Sequence, residues 1–449
     1  MKIKHMSFSK AVAAAVFLSL LSSMGCVPLA HAQMDRAEEP SSPQIKVVEG
    51  GESHLAAGKC RKMIVGPGVN QPDPFPGYKG FVGWECPSRL RNGTMLVAFN
   101  AGYWHASLPT PFNPNWENGP KWRAIGMPDV DAPTGGRAMI VKSTDNGVTW
   151  SKPETLVDSP CDDRHAAISE LNDGTLLCSL FTYPNGCEYT EENDPSKTPL
   201  MGLVRSLDGG KTWEQEIRRM PLGFTMSATD GPPLEMPDES ILLAGEAREK
   251  SGQMVIAVFR STDRGASWKF LSKVTTDYKQ HEPSLVRLKD GRLVMISRPE
   301  GTIVWSSDNG KTWTEPVTFG FRMFAPTLLV MADGTLLCHY GSYNHGGLRA
   351  IFSSDGGHSW VAAGKNRGFL VDRTYGYSRS CLMPDGSAYL AYIGTGGHRQ
   401  TDSASNMIWS MRLRVRDDHS GIELLPVGEK VSGKSARKMP DPGKPVPGI

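Results

Sequence analysis

Six stretches of the chain repeat one order of apolar and polar positions: an apolar run, an Asp-Gly-type turn, and a second apolar run. Their shared form is roughly Pro-Ser-Leu-x-x-Leu-x-Asp-Gly-x-Leu-Leu. They lie at Pro87–Val97, Ala166–Leu177, Gly231–Leu242, Pro283–Val294, Pro326–Leu337 and Ser378–Leu390. Short apolar runs bounded by a glycine turn predict two antiparallel strands per stretch.

A second pattern, Ser-x-Asp-x-Gly-x-(Ser/Thr)-Trp, is offset from the first. It occurs at Ser143–Trp150, Ser206–Trp213, Ser261–Trp268, Ser306–Trp313 and Ser353–Trp360, so the starts are 63, 55, 45 and 47 residues apart. That period fits one four-stranded supersecondary unit. The residue types suit a hairpin turn. Short Ser and Asp side chains accept hydrogen bonds from turn N–H groups, the glycine allows a positive φ, and the indole packs against neighbouring strands.

Six hairpin stretches and five boxes predict an all-β chain: a six-bladed β-propeller whose last blade lacks the box. In that blade Met407–Val415 reads as a plain strand. A closed ring leaves few free sheet edges, and Arg61–Val65 is expected to close it by pairing into the last blade. The boxes hold turns on the outer hairpins. Chemistry is therefore expected at the starts of the inner strands and in the loops between blades.

The ends read differently. Lys2, Lys4 and Lys10 precede an apolar run, Ala11–Leu21, and Ala30-His31-Ala32 follows, which predicts a signal peptide over 1–32. Residues 33–60 read as a flexible segment, 61–430 as the propeller and 431–449 as a flexible tail. The expected product is periplasmic or secreted, without a membrane span. The whole chain sets 49 basic against 47 acidic residues, and the leader removes three lysines. Near-neutrality gives no general attraction for nucleic acid. Seven cysteines follow the leader, with no CxxC pair. Cys178 and Cys338 look like buried strand residues, and Cys161 with Cys187 is the pair to test for a disulfide. No metal-ligand spacing and no cofactor motif is present.

Over roughly residues 75–415 the chain resembles the sialidase (neuraminidase) superfamily. The resemblance rests on the five boxes, on His281-Glu-Pro-Ser-Leu through Met-Ile-Ser-Arg298, on Gly347-Leu-Arg349-Ala-Ile-Phe, and on Tyr375-Gly-Tyr377-Ser378. It implies a tyrosine nucleophile, a glutamate that activates it, an aspartate acid/base and three arginines that clamp a substrate carboxylate. Carried over position by position, it implies Tyr377 as nucleophile, with Tyr375 as competitor, and Glu282 as its base. Asp131 would be the acid/base, with Asp129 as alternative, and Arg298 and Arg349 would be two of the clamps. A neutral phenol can approach an anionic sugar that would repel a carboxylate nucleophile, and sialidases are known tyrosine exceptions among glycosidases. The family opens its first inner strand with Arg-Ile-Pro, whereas this chain has Glu85-Cys86-Pro87. Glu85 therefore stands where the first clamp belongs. Arg89 is a possible substitute on the same strand face, and Arg164, Arg373 and Arg379 also open inner strands.

The leading expectation is a retaining exo-glycosidase acting on terminal sugars of glycans, sialic acid among them. Two alternatives stand beside it. One is a polysaccharide lyase using a Tyr/His pair, with His105, His165 or His281, against an Arg-bound uronate. The other is a carbohydrate-binding propeller without chemistry.

Overall fold

The computed structural model describes residues 45–49, 57–66, 69, 81–102, 136–159, 162–183, 199–221, 223–343, 345–364, 368–374, 376–393 and 407–428. Asp129, Asp131, His105, Tyr375, Cys161 and Cys187 lie outside the described residues.

Six sheets, antiparallel except where the strand Lys46–Glu49 joins the fifth, follow one another along the chain. Blade one holds β3 (Phe81–Arg89), β4 (Met95–Gly102), β5 (Arg137–Ser143) and β6 (Glu154–Val157). Blade two holds β7 (Asp162–Glu170), β8 (Leu176–Tyr183), β9 (Leu200–Ser206) and β10 (Arg218–Arg219). In blade three the inner strand is split into β11 (Met226–Ala228) and β12 (Leu234–Glu235), followed by β13 (Ile241–Arg248), β14 (Met254–Ser261) and β15 (Lys269–Val274). Blade four has β16 (His281–Arg287), β17 (Leu293–Arg298) and β18 (Thr302–Ser306), with a bridge from Ile303 to Val317 at its outer edge. Blade five has β19 (Met323–Val330), β20 (Leu336–Ser342), β21 (Leu348–Ser353), β22 (Ser359–Ala362) and β23 (Phe369–Asp372). Blade six has β24 (Ser378–Leu382), β25 (Ala388–Ile393), β26 (Ile408–Val415) and β27 (Ile422–Leu425).

Two strands from the start of the described chain complete distant blades. β1 (Lys46–Glu49) runs parallel to β22, and β2 (Lys62–Val65) pairs antiparallel with the first half of β26. Blade six is thus built from both ends of the chain, as the Arg61–Val65 expectation required.

Each gap between neighbouring blades has its own apolar cluster. Val97, Phe99 and Val141 of blade one meet Ile64, Val65, Ala391 and Ile408 of blade six, so the ring is closed by packing as well as by pairing. The boxes form as their sequence predicts. Gly147 N–H donates to Ser143 Oγ (2.9 Å), Thr149 N–H to Asp145 Oδ1 (2.8 Å) and Trp150 Nε1–H to Gly147 O (3.0 Å). Ser–Asp and Ser–Gly bonds of the same kind recur in the other four boxes. The tryptophans share one direction: Trp213, Trp268, Trp313 and Trp360 each enter the cluster between their own blade and the preceding one. Trp150 does the same at the junction with blade six. The box therefore fastens blade to blade as well as holding its own turn.

Candidate active site

The inner strands position the candidate residues through a repeated irregularity. In four blades the pairing of the first two strands slips by one residue near the strand start, between Gly83 and Cys86, Arg164 and Ala167, His281 and Ser284, and Phe324 and Thr327. One residue within each slip has a positive φ: Trp84 (51°), His165 (55°), Glu282 (49°) and Ala325 (44°). Bulges of this kind re-aim a side chain out of the alternating pattern, and a positive φ is costly for residues other than glycine.

The inner-strand turns define the equivalent positions in all six blades. Each turn is closed by the N–H of Leu90, Leu171, Met236, Leu288, Met331 or Met383. Counting back six residues from these gives Trp84, His165, Asp230, Glu282, Ala325 and Tyr377. All six are buried, and they touch one another in pairs across blades. Tyr377 donates its hydroxyl hydrogen to Glu282 Oε1, and His165 Nδ1 is hydrogen-bonded to Asp230 Oδ1. Trp84 lies over the His165 ring at 4.6 Å between centroids, and the Tyr377 ring stands edge-on to His165 at 6.2 Å. Tyr377, Trp84 and Ala325 share a small apolar cluster with Ile393.

Arg298 joins this group because His281 and Arg298 face each other across β16 and β17. Its guanidinium forms a fork on Glu282, Nε to Oε2 at 2.5 Å and Nη2 to Oε1 at 2.9 Å, and donates through Nη1 to Tyr343 Oη at 3.0 Å. Burial works to raise the Glu282 carboxyl. The Arg298 charge and hydrogen bonds, followed by the bond from Tyr377, outweigh it and hold the group below its ordinary range. Glu282 is thus an ionised acceptor aimed at a phenol.

Arg379 organises the opposite side. Its Nε donates to Asp230 O (2.9 Å), its Nη1 to Thr327 Oγ1 (2.8 Å), and its Nη2 lies 3.8 Å from Asp230 Oδ1. Glu85 is 1% exposed, and neither of its carboxylate oxygens has a hydrogen-bond partner among the described residues. Burial pushes its carboxyl up to about 8, against the pull of nearby backbone amides and of the Arg379 charge. A cavity of about 10 Å³ lies among Trp84, Glu85, His165, Asp230, Tyr377 and Arg379.

Of the residues singled out in the sequence, Tyr377, Glu282 and Arg298 are in mutual contact, and Glu85 lines the same cavity as Tyr377. Arg349 sits at the start of β21, two strands out from the inner strand, and donates to the carbonyls of Gly346 and Gly368 at 3.2 Å each. Arg89 does not join the group. It pairs with Met95 at the turn end of β3, and its guanidinium folds back over Gly93. Four residues of strand, about 13 Å, separate it from Glu85, which places it at the far end of β3. Among the other arginines that open inner strands, Arg164 stacks over the Trp84 ring at 5.4 Å, while Arg373 is exposed. Asp230 was not among the candidates, and His165 appeared only under the lyase alternative. Counting nine residues back from each turn glycine, or from Glu239 where blade three lacks one, finds all six positions directly.

Among the described residues no group of three or more His, Cys, Asp or Glu side chains gathers as a metal-ligand set, and no helix is long and apolar enough to cross a membrane.

Comparison with known proteins agrees with this architecture. The family model of a BNR repeat-like domain matches residues 186–390. A sialidase of Micromonospora viridifaciens is 30% identical over 227 residues, which is 44% of this chain and 32% of that protein. The chain's match spans about a third of the length of the curated relatives it resembles, 35% and 32%. Among solved structures, a protein of unknown function from Dyadobacter fermentans aligns with a TM-score of 0.59 at 19% identity, covering 81% of this chain and 98% of that one. A Hadza microbial sialidase aligns with a TM-score of 0.54 at 17% identity, covering 73% and 65%. At these identities the structural likeness is one of fold. Together with the five boxes and the ring of blades, the matches describe a six-bladed propeller with BNR-type repeats that is similar to sialidases.

Proposed function

We propose that the chain is a retaining exo-glycosidase in which Tyr377 is the nucleophile and Glu282 its base. The observation that carries this reading is the hydrogen bond from Tyr377 Oη to a carboxylate that Arg298 keeps ionised. A phenol with a pKa near 10 is a weak nucleophile at neutral pH, and an adjacent base that takes its proton as the bond forms removes that handicap.

In the first step Tyr377 Oη bonds to the anomeric carbon while the glycosidic C–O bond breaks. The phenolic proton passes to Glu282, and the leaving oxygen receives a proton from the acid/base, for which Asp131 is the candidate. In the second step water attacks the anomeric carbon and gives its proton to Asp131. The C–O bond to Tyr377 breaks and Glu282 returns its proton to the phenol, which restores the site. Arg298 is a positioning residue for Glu282 in this scheme, and Arg349 a candidate contact to substrate from the blade edge.

The substrate class is a terminal sugar of an extracytoplasmic glycan. A panel of aryl glycosides, sialoside included, tests the reading. Hydrolysis of at least one, abolished in Tyr377→Phe with binding retained, supports it. Hydrolysis undiminished in Tyr377→Phe overturns it. The hydrogen-bonded His165–Asp230 pair beside Tyr377 favours the lyase as the second reading. Unsaturated uronate product from an acidic polysaccharide would replace the first by that one.

A further inference from the structure

The cavity beside Tyr377 is lined by the Glu85 carboxyl, which meets no well-formed hydrogen-bond partner among the described residues and feels only the pull of the Glu85 and Ile393 backbone amides and of the Arg379 charge. Both Glu85 oxygens are shut from solvent and unbonded among the described residues, although buried polar groups are almost always satisfied. Burying such a group in an apolar site would be costly, and the exceptions call for an explanation. The neighbours explain little of it. Arg379 is committed to Asp230, Thr327 and Ser378, and Asp230 also holds His165. The space next to Glu85 is about 10 Å³, enough for one water-sized group. A substrate carboxylate, with three heavy atoms, is larger than that space.

We propose that Glu85 is the floor of a hydroxyl subsite beside the nucleophile, and that the glycone is a neutral sugar which seats one hydroxyl there. A carboxyl supplies a donor when protonated and acceptors in either state, and a hydroxyl can answer both. The placement of the sugar rests on the glycosidase reading above; the existence of the hydroxyl subsite does not. Glu85 is then a specificity-determining residue: it rewards a group of the right size and polarity and rejects the carboxylate that an arginine at this place would bind.

The test is binding without turnover. Methyl thioglycosides of galactose, fucose and N-acetylglucosamine, their monodeoxy analogues and the methyl thiosialoside are titrated by calorimetry into the wild-type full chain, Glu85→Gln and Glu85→Ala. The expected result is that at least one neutral glycoside binds ten-fold or more tightly than the sialoside. One of its monodeoxy analogues should lose about ten-fold against wild type and under two-fold against Glu85→Ala, the coupling expected of a direct contact. Glu85→Gln, which keeps one donor and one acceptor, should lose less than Glu85→Ala, and it serves where the alanine variant does not fold. A sialoside that binds more tightly than every neutral sugar overturns the proposal, as do deoxy losses equal in wild type and both variants. If the coupling is present but no aryl glycoside is ever hydrolysed, the glycosidase reading falls and the hydroxyl subsite stands.

Discussion

Tyr377 and Glu282 are 95 residues apart in sequence, yet the phenol of one donates to the carboxylate of the other. Nothing local brings them together. They meet because each occupies the same position in its own inner strand, on blades six and four, and the ring aims all such positions inward.

Removing the phenolic oxygen should leave shape and binding intact while ending turnover. For Tyr377→Phe the expected loss in kcat is about 10³-fold or more, with KM changed only a few-fold. Steady-state kinetics on the best aryl glycoside measures it. Equal losses in kcat and in affinity would show that the phenol binds instead of reacting.

Glu282→Gln should lower kcat by about 10²-fold or more, since the amide can no longer take the proton. It also leaves Arg298 facing a neutral partner in a nearly dry site. Breaking such a pair costs about 3–5 kcal/mol, so the melting temperature should fall as well. Thermal unfolding together with kinetics separates the two effects.

Glu85 makes stability depend on pH in a direction unlike the common carboxylate case. Its folded value of about 8 lies above its ordinary 4.5, so between these limits the folded chain holds more protons than the unfolded one. The contribution is fully present below about pH 4.5 and is lost as pH rises through about 8, to the extent of a few kcal/mol. Glu85→Gln removes the dependence. The difference in melting temperature between variant and wild type should therefore grow in the variant's favour from pH 5 to pH 9. A constant difference across that range would mean that Glu85 ionises freely in the fold.

Asp230 and Arg379 should behave as a coupled pair. Each single replacement, Asp230→Ala or Arg379→Met, strands a buried charge. Each is expected to cost about 3 kcal/mol, with the double variant losing clearly less than the sum. Chemical denaturation of the four proteins measures the cycle, and additivity would show that the two do not interact.

Trp360 is fully buried in the gap between blades four and five. Trp360→Ala should destabilise the ring by about 3–5 kcal/mol, while at permissive temperature kcat stays within about two-fold of wild type, since the box lies away from the site. Differential scanning calorimetry and a rate assay at low temperature check both halves.

The scaffold was legible because its signals are local and repeated: a turn with glycine, a Ser-Asp-Gly-Trp hairpin, and strands of ordinary length. Glu282 and Arg298 were legible as the two ends of one hairpin, and Tyr377 as the start of another. The rest was hidden by backbone geometry. The bulges add one residue to four of the six inner strands, and in the first of them register sends Arg89 to the turn end, away from Glu85. Asp230 was obscured because its inner strand is broken before Pro232-Pro233 and its turn carries Glu239 in place of glycine. His165 needs Asp230 to mean anything, and that contact spans two blades.

The shared construction of blade six has a consequence for synthesis. Ile64 and Val65 are made early, but the partners that bury them, Ala391 and Ile408, come from the far end of the chain. Until β26 has been made, Ile64 and Val65 lack two of the partners that bury them, and the ring cannot close. Open sheet edges invite association with other chains. Truncation before Ile408 should accordingly leave a chain that associates, which light scattering of the truncated and full chains would show.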